Sequence, residues 1–169
     1  QDIPCGAYIY EFDYRKDSKA PKAYLNFEGV DSCFYLWVNG SYVGYSQVSH
    51  ATSEFDVTSL LKDGKNILAV LVLKWCEGSY LEDQDKFRMS GIFRDVYLLK
   101  RPELCIRDYH ITTSVSTDKA EAKLNFSYIG QPIDTKVTLY NQHNHIMASG
   151  KVTLNHISLT IKNPDLWSA

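Results

Sequence analysis

Apolar and polar residues alternate in run after run along this chain, and that period of two limits its fold more than any other feature. The runs are Ala7 to Tyr14, Ala23 to Phe27, Phe34 to Val38, Asn66 to Leu73, Val96 to Leu99, Lys123 to Tyr128 and Lys136 to Tyr140, dominated by tyrosine, valine and isoleucine. Residues two apart share one face of a strand, so each run can line one wall of a core. Asn39-Gly40, set between Phe34 to Val38 and Tyr42 to Tyr45, is the strongest hairpin signal because both residues accept the positive φ of a tight turn. No window sustains a helical period, although Asp56-Val-Thr-Ser-Leu-Leu can cap a single helical turn ahead of Asp63-Gly64. Short strands at regular spacing predict an all-β protein built as a sandwich.

A chain of 169 residues can bury one good core or two small ones. Arg101-Pro102 is the natural boundary, since proline cannot donate to a strand ladder and the aromatic-rich composition thins beyond it. Residues 1–102 and 103–169 are therefore expected as separate domains. The second offers about five strands, short of the seven in a complete immunoglobulin-like sandwich, and is expected to be truncated. A formal net charge of −2 gives no basic footprint for nucleic acid or for an anionic membrane. The longest apolar run, Ile67 to Leu73, is too short to cross a bilayer. Cys5, Cys33, Cys76 and Cys105 lie far apart with no zinc-binding spacing. They are expected as free thiols in a reducing compartment, and a cytoplasmic location is expected.

The chemistry concentrates between Ser79 and Val96, where Glu82, Asp83, Gln84 and Asp85 stand side by side. Such a density of oxygen acceptors suits a loop that binds a cation or a polyhydroxylated ligand; the plainer reading is a solvated acidic loop. Phe87, Met89, Ile92 and Phe93 then surround Arg88, Gly91 and Arg94, so the loop is expected to be held in shape. Arg88 and Arg94 read as ion-pair partners of the acids, or as ordinary surface arginines. Glu82 and Asp83 are assigned to shaping the loop. Adjacent acids cannot flank a scissile glycosidic bond as an acid and a nucleophile must, so no catalytic pair is expected here. Trp75 and Trp37 are read as core residues rather than sugar platforms. His143 and His145 are read as the two ends of a polar turn, and none of Ser46, Ser49 or Ser53 sits in a nucleophile elbow.

Taken together, Asn26-Phe27-Glu28-Gly29-Val30, Trp37-Val38-Asn39-Gly40, Val43-Gly44-Tyr45-Ser46, Ser53-Glu54-Phe55-Asp56, Trp75 and the acidic run closely resemble the N-terminal sugar-binding domain of family-two glycoside hydrolases, specifically the large bacterial β-galactosidases. The resemblance covers most of residues 4–102 and resumes at Asn163-Pro164-Asp165-Leu166-Trp167-Ser168-Ala169. It implies a jelly-roll, galactose-binding-domain-like sandwich followed by an incomplete immunoglobulin-like sandwich. It further implies that both catalytic glutamates come from a (β/α)₈ barrel that no part of this chain matches. Asp85 is implied to reach that barrel, ligating a sodium ion and hydrogen-bonding galactosyl hydroxyls. A parent enzyme of this kind hydrolyses terminal β-galactosides such as lactose with retention, carries Mg2+ outside these residues, and forms a homo-oligomer. Cys76-Glu77 departs from the Ser-Asp usual before Gly-Ser-Tyr. The competing readings are a free-standing carbohydrate-binding module, a purely structural domain, and the same domain from a β-glucuronidase or β-mannosidase.

Overall fold

The computed structural model describes residues 2–82, 85, 87–164 and 166. They form two compact units, Gln1–Pro102 and Glu103–Ala169. The first contains β1 (Cys5–Tyr14), β2 (Lys22–Phe27), β3 (Val30–Asp31), β4 (Cys33–Val38), β5 (Ser41–Ser46), β6 (Ser53–Asp56), β7 (Gly64–Leu73), α1 (Glu77–Leu81), β8 (Gly91–Ile92) and β9 (Val96–Arg101). A four-stranded sheet in the order β1-β7-β4-β5 faces a three-stranded sheet in the order β6-β2-β9, with β3 paired to β8 at one end. All these pairings are antiparallel. This is the all-β sandwich that the alternation predicts, and the jelly roll that the resemblance implies.

Register explains the core. Leu36 pairs with Val70 and Val38 with Leu68, so these four side chains point inward from adjacent strands. Ala23, Leu25 and Phe27 answer them from β2. Phe34 of the first sheet meets Phe27 and Phe55 of the second at ring-centroid distances of 4.7 and 5.9 Å, joining the layers through tilted aromatic contacts. On the outer side of the second sheet, Arg101 grips Glu54 with both guanidinium nitrogens, at 2.8 and 2.9 Å, while lying over the Tyr24 ring. The expected cap also forms: the Asp56 carboxylate accepts the Thr58 N–H at 2.9 Å. A single turn follows, with Val57 O accepting from Leu60 and Leu61.

Two expectations need correction. Trp75 does not close the core; it is 46 % exposed just past β7, with the Lys74 ammonium 5.6 Å from its ring. Trp37 is only half-buried because its register partner is Ala69, which puts it on the outer face of the first sheet beside Tyr35 and Tyr42.

The second unit contains β10 (Cys105–Val115), β11 (Lys119–Ile129), β12 (Lys136–Tyr140), β13 (Ile146–Lys151) and β14 (His156–Lys162). Its sheets run β10-β11-β14 and β12-β13. Leu124, Phe126, Leu159 and Ile161 are its buried apolar residues. The β12–β13 turn is organised by the Asn141 carboxamide, whose oxygen accepts the N–H of both His143 and His145.

Candidate functional site

Three residues after β7 the chain forms α1, which ends just before Glu82, and it returns to the sandwich through β8. A five-residue helix with no apolar stripe is not self-sustaining. It is braced from below. The Ser79 hydroxyl accepts the N–H of Cys76 at 3.1 Å and hydrogen-bonds the Ser32 hydroxyl. The Cys76 thiol lies 3.2 Å from that same Ser32 oxygen. Gly78 packs so closely on the loop after β5 that an added Cβ would sit 3.1 Å from the Gln47 carbonyl.

Glu82 follows the helix and turns back toward the sandwich, where its Oε1 accepts the Ser49 N–H at 3.2 Å. Buried Ser49 in turn donates its hydroxyl toward Asp31 Oδ1 at 3.4 Å. Arg88, on the return limb, donates from its guanidinium to the Ser79 carbonyl. Asp31, Ser32, Ser49, Ser79, Glu82 and Arg88 thus join β3, α1 and both limbs of the loop. The buried members of that set were not singled out as site residues in the sequence, because they are scattered from residue 31 to residue 79 with no shared period.

Asp85 is exposed, with no hydrogen bond or ion pair among the described residues. Asp83 lies outside the described residues. The rim is unusually apolar: Tyr80, Leu81 and Phe87 are 84, 87 and 94 % exposed, and Met89 is exposed with them. Gly91 returns the chain to the sheet at φ +89°, a conformation that strains any residue with a side chain, and a Cβ there would also displace the Tyr8 hydroxyl, 2.7 Å away. One carboxylate on such a loop can contribute an oxygen to a hard cation or accept from a sugar hydroxyl, but it cannot complete a shell. Among the described residues no group of three or more His, Cys, Asp and Glu is arranged to hold a metal.

Arg94 sits elsewhere. Its Cδ would touch a Cβ on Gly29, its guanidinium lies 5.4 Å from the Phe93 ring, and its charged neighbour among the described residues is Glu28. The Tyr97 hydroxyl donates to Glu28 at 2.6 Å and Thr52 donates at 3.1 Å. These bonds, Tyr97 first, hold the Glu28 carboxyl below the usual carboxylate range, with Arg94 adding to the effect. The same bond raises the Tyr97 hydroxyl above its ordinary value. The signs define a window. A depressed carboxyl stabilises the fold above its unfolded value and loses that contribution as pH falls through its folded one. A raised tyrosine contributes below its unfolded value and loses it as pH rises through its folded one. Carbon-detected NMR titration should therefore find Glu28 changing ionisation below about 4.3, the ordinary glutamate value. Tyr97→Phe should move it back up, and an unmoved titration would deny the bond its role.

A cleft of about 680 Å3 opens between the β1 and β9 edges, lined by Tyr8, Tyr10, Phe12, Leu25, Val96 and Leu98 among others. Its lining is mostly apolar, with the tyrosine hydroxyls as its polar groups, and offers a sugar few partners.

Comparison with known proteins locates these features. Residues 1–102 match the family described as "Glycosyl hydrolases family 2, sugar binding domain". The chain is 43 % identical to a β-galactosidase of Staphylococcus xylosus over 99 % of its own length and 17 % of that relative's. It is 45 % identical to a β-galactosidase of Actinobacillus pleuropneumoniae, over 98 and 16 % respectively. The chain therefore spans less than a fifth of the length of these curated relatives. Among solved structures, the FMN-binding β-glucuronidase from Facaelibacterium prausnitzii L2-6 superposes with a TM-score of 0.86 at 18 % identity, covering 98 % of this chain and 28 % of that one. At that identity the likeness speaks for the fold alone.

Proposed function

Because the chain belongs to glycosyl hydrolase family 2 through its sugar binding domain, we propose that it is the non-catalytic N-terminal part of a retaining β-galactosidase, supplying a braced loop to an active site completed by a catalytic barrel. Asp85 is the residue that acts. Its carboxylate ligates sodium and accepts hydrogen bonds from galactosyl hydroxyls, while Glu82 and Arg88 hold the loop at its angle. Asp83 shares that shaping role and Arg94 supports the neighbouring Glu28 corner.

The observation that carries this reading is an exposed Asp85, without a partner among the described residues, beside a rim of exposed Tyr80, Leu81, Phe87 and Met89. Apolar surface of that kind is costly in water and suits a loop inserted against another domain. Galactose is favoured over glucuronate because curated β-galactosidases match nearly the whole of this chain at 43 and 45 % identity. The second unit is assigned to an immunoglobulin-like sandwich, the Mg2+ to the remainder of the enzyme, and the whole to a cytoplasmic homo-oligomer.

The test is an assay of the purified chain on an aryl β-galactoside, with galactose and sodium titrated calorimetrically. No turnover is expected, because one ligand carboxylate cannot replace a catalytic pair, and binding should be weaker than millimolar. Turnover abolished by changing Asp85 would overturn the proposal.

One observation favours a second reading, a free-standing carbohydrate-binding module. Tyr35, Trp37, Tyr42 and Tyr45 make a partly exposed aromatic cluster on the outer face of the first sheet, with centroids 4.9 to 6.2 Å apart. Sub-millimolar galactoside binding lost on Tyr42→Ala would support that reading.

A further inference from the structure

Cys33 opens β4 with its thiol buried, and Cys76 precedes α1 half-exposed. They are 43 residues apart in sequence, 76 minus 33, yet the fold brings them to one corner, where the hydroxyl of Ser32, the residue before Cys33, lies 3.2 Å from the Cys76 sulfur. The geometry around them explains why. Cys33 is the register partner of Leu73, three residues before Cys76, and the adjacent Ser32 bonds both Leu73 O through its N–H and Cys76 Sγ through its hydroxyl at 3.2 Å.

We propose that Cys33 and Cys76 form a peroxide-responsive dithiol whose oxidation ties the start of β4 to the base of α1. The Cys76 thiolate attacks a peroxide oxygen: an S–O bond forms, the O–O bond breaks, and the departing oxygen leaves as water after taking a proton. Cys76 becomes a sulfenic acid, oxidised by two electrons as the peroxide is reduced by two. The Cys33 sulfur then attacks the sulfenic sulfur. The S–S bond forms, the S–O bond breaks, and hydroxyl leaves as water with the proton of the Cys33 thiol.

The environments assign the two roles. Burial works against a charged Cys76, but hydrogen bonds from Ser32 and Ser79 outweigh it and bring the thiol below its ordinary value. Burial pushes the Cys33 thiol up, against the pull of the Tyr45 hydroxyl. The exposed member is thus the attacking thiol and the buried one the resolving thiol. Cys5 is excluded by register. It also pairs with Leu73, but from the opposite side of β7, so two strand spacings, about 10 Å, separate it from Cys33, beyond the reach of a disulfide. Cys105 belongs to the other unit, which contains no second cysteine.

The experiment exposes the purified chain to hydrogen peroxide, alkylates remaining thiols with N-ethylmaleimide and maps the peptides by mass spectrometry without reduction. The expected product is a linked Cys33–Cys76 peptide lighter by two hydrogens, with both alkylation sites lost together and Cys5 and Cys105 still alkylated. Cys33→Ser should leave a dimedone-trapped sulfenic acid on Cys76. Cys76→Ser, nearly isosteric, should keep the native circular dichroism and abolish the link. A linked peptide containing Cys5 or Cys105, or oxidation of Cys5 while Cys33 and Cys76 both remain alkylated, would overturn the proposal.

Discussion

In the β-galactosidase proposed above, Asp85→Ala is expected to lower kcat/KM tenfold to hundredfold and to blunt the response to sodium. The side chain is exposed and has no partner among the described residues, so its removal should leave the fold intact and act on the ligand alone. A charged hydrogen bond contributes about 1.5 to 3 kcal/mol, and each 1.36 kcal/mol is about a factor of ten in rate. A hydroxyl contact that strengthens as the ring flattens toward an oxocarbenium ion would appear in kcat as well as in KM. Glu82→Gln should do far less, because an amide oxygen can still accept the Ser49 N–H. Steady-state kinetics of both variants over a sodium series decides the matter. Wild-type efficiency with an unchanged sodium response in Asp85→Ala would remove this loop from the active site.

The two kinds of information in the chain differ in how far they can be read. Alternation located β4 and β7 because one face of each is buried, so Leu36, Val38, Leu68 and Val70 recur at every second position. It passed over β10, whose residues are nearly all exposed and so carry no contrast between faces. It also passed over α1, which is held by Ser79, Cys76 and Ser32 rather than by any apolar stripe. Trp75 was misjudged because a tryptophan that ends an apolar strand looks the same in sequence whether the next residue turns in or out. Asp85 is singled out in the sequence only through the resemblance of its motif. Charge density alone does not separate it from Glu82, and it is the Ser49 N–H that sets the two acids apart.

The largest loss of stability is expected from Asn66→Ala, at about 3 kcal/mol. Asn66 is fully buried with no apolar role. Its carboxamide oxygen accepts the Lys62 N–H at 3.0 Å and the Asn39 side-chain amide at 2.8 Å, and its nitrogen donates to the Lys62 and Gly64 carbonyls, both at 2.8 Å. Asn39 passes the bracket onward, donating to Leu60 O and accepting the Ile67 N–H while holding φ +50° in the β4–β5 turn. One side chain therefore satisfies backbone groups on the 62–64 turn and fixes the hairpin residue that sets the β4 register. Alanine would leave those part-buried groups without their partners, and each such group costs up to roughly 1 to 3 kcal/mol. Asn66→Asp should be at least as damaging, since it keeps the acceptor but loses both donors and buries a charge. Urea unfolding followed by tryptophan fluorescence would measure both variants. A midpoint shift worth less than about 1 kcal/mol at constant slope would mean that water reaches the turn and replaces the amide.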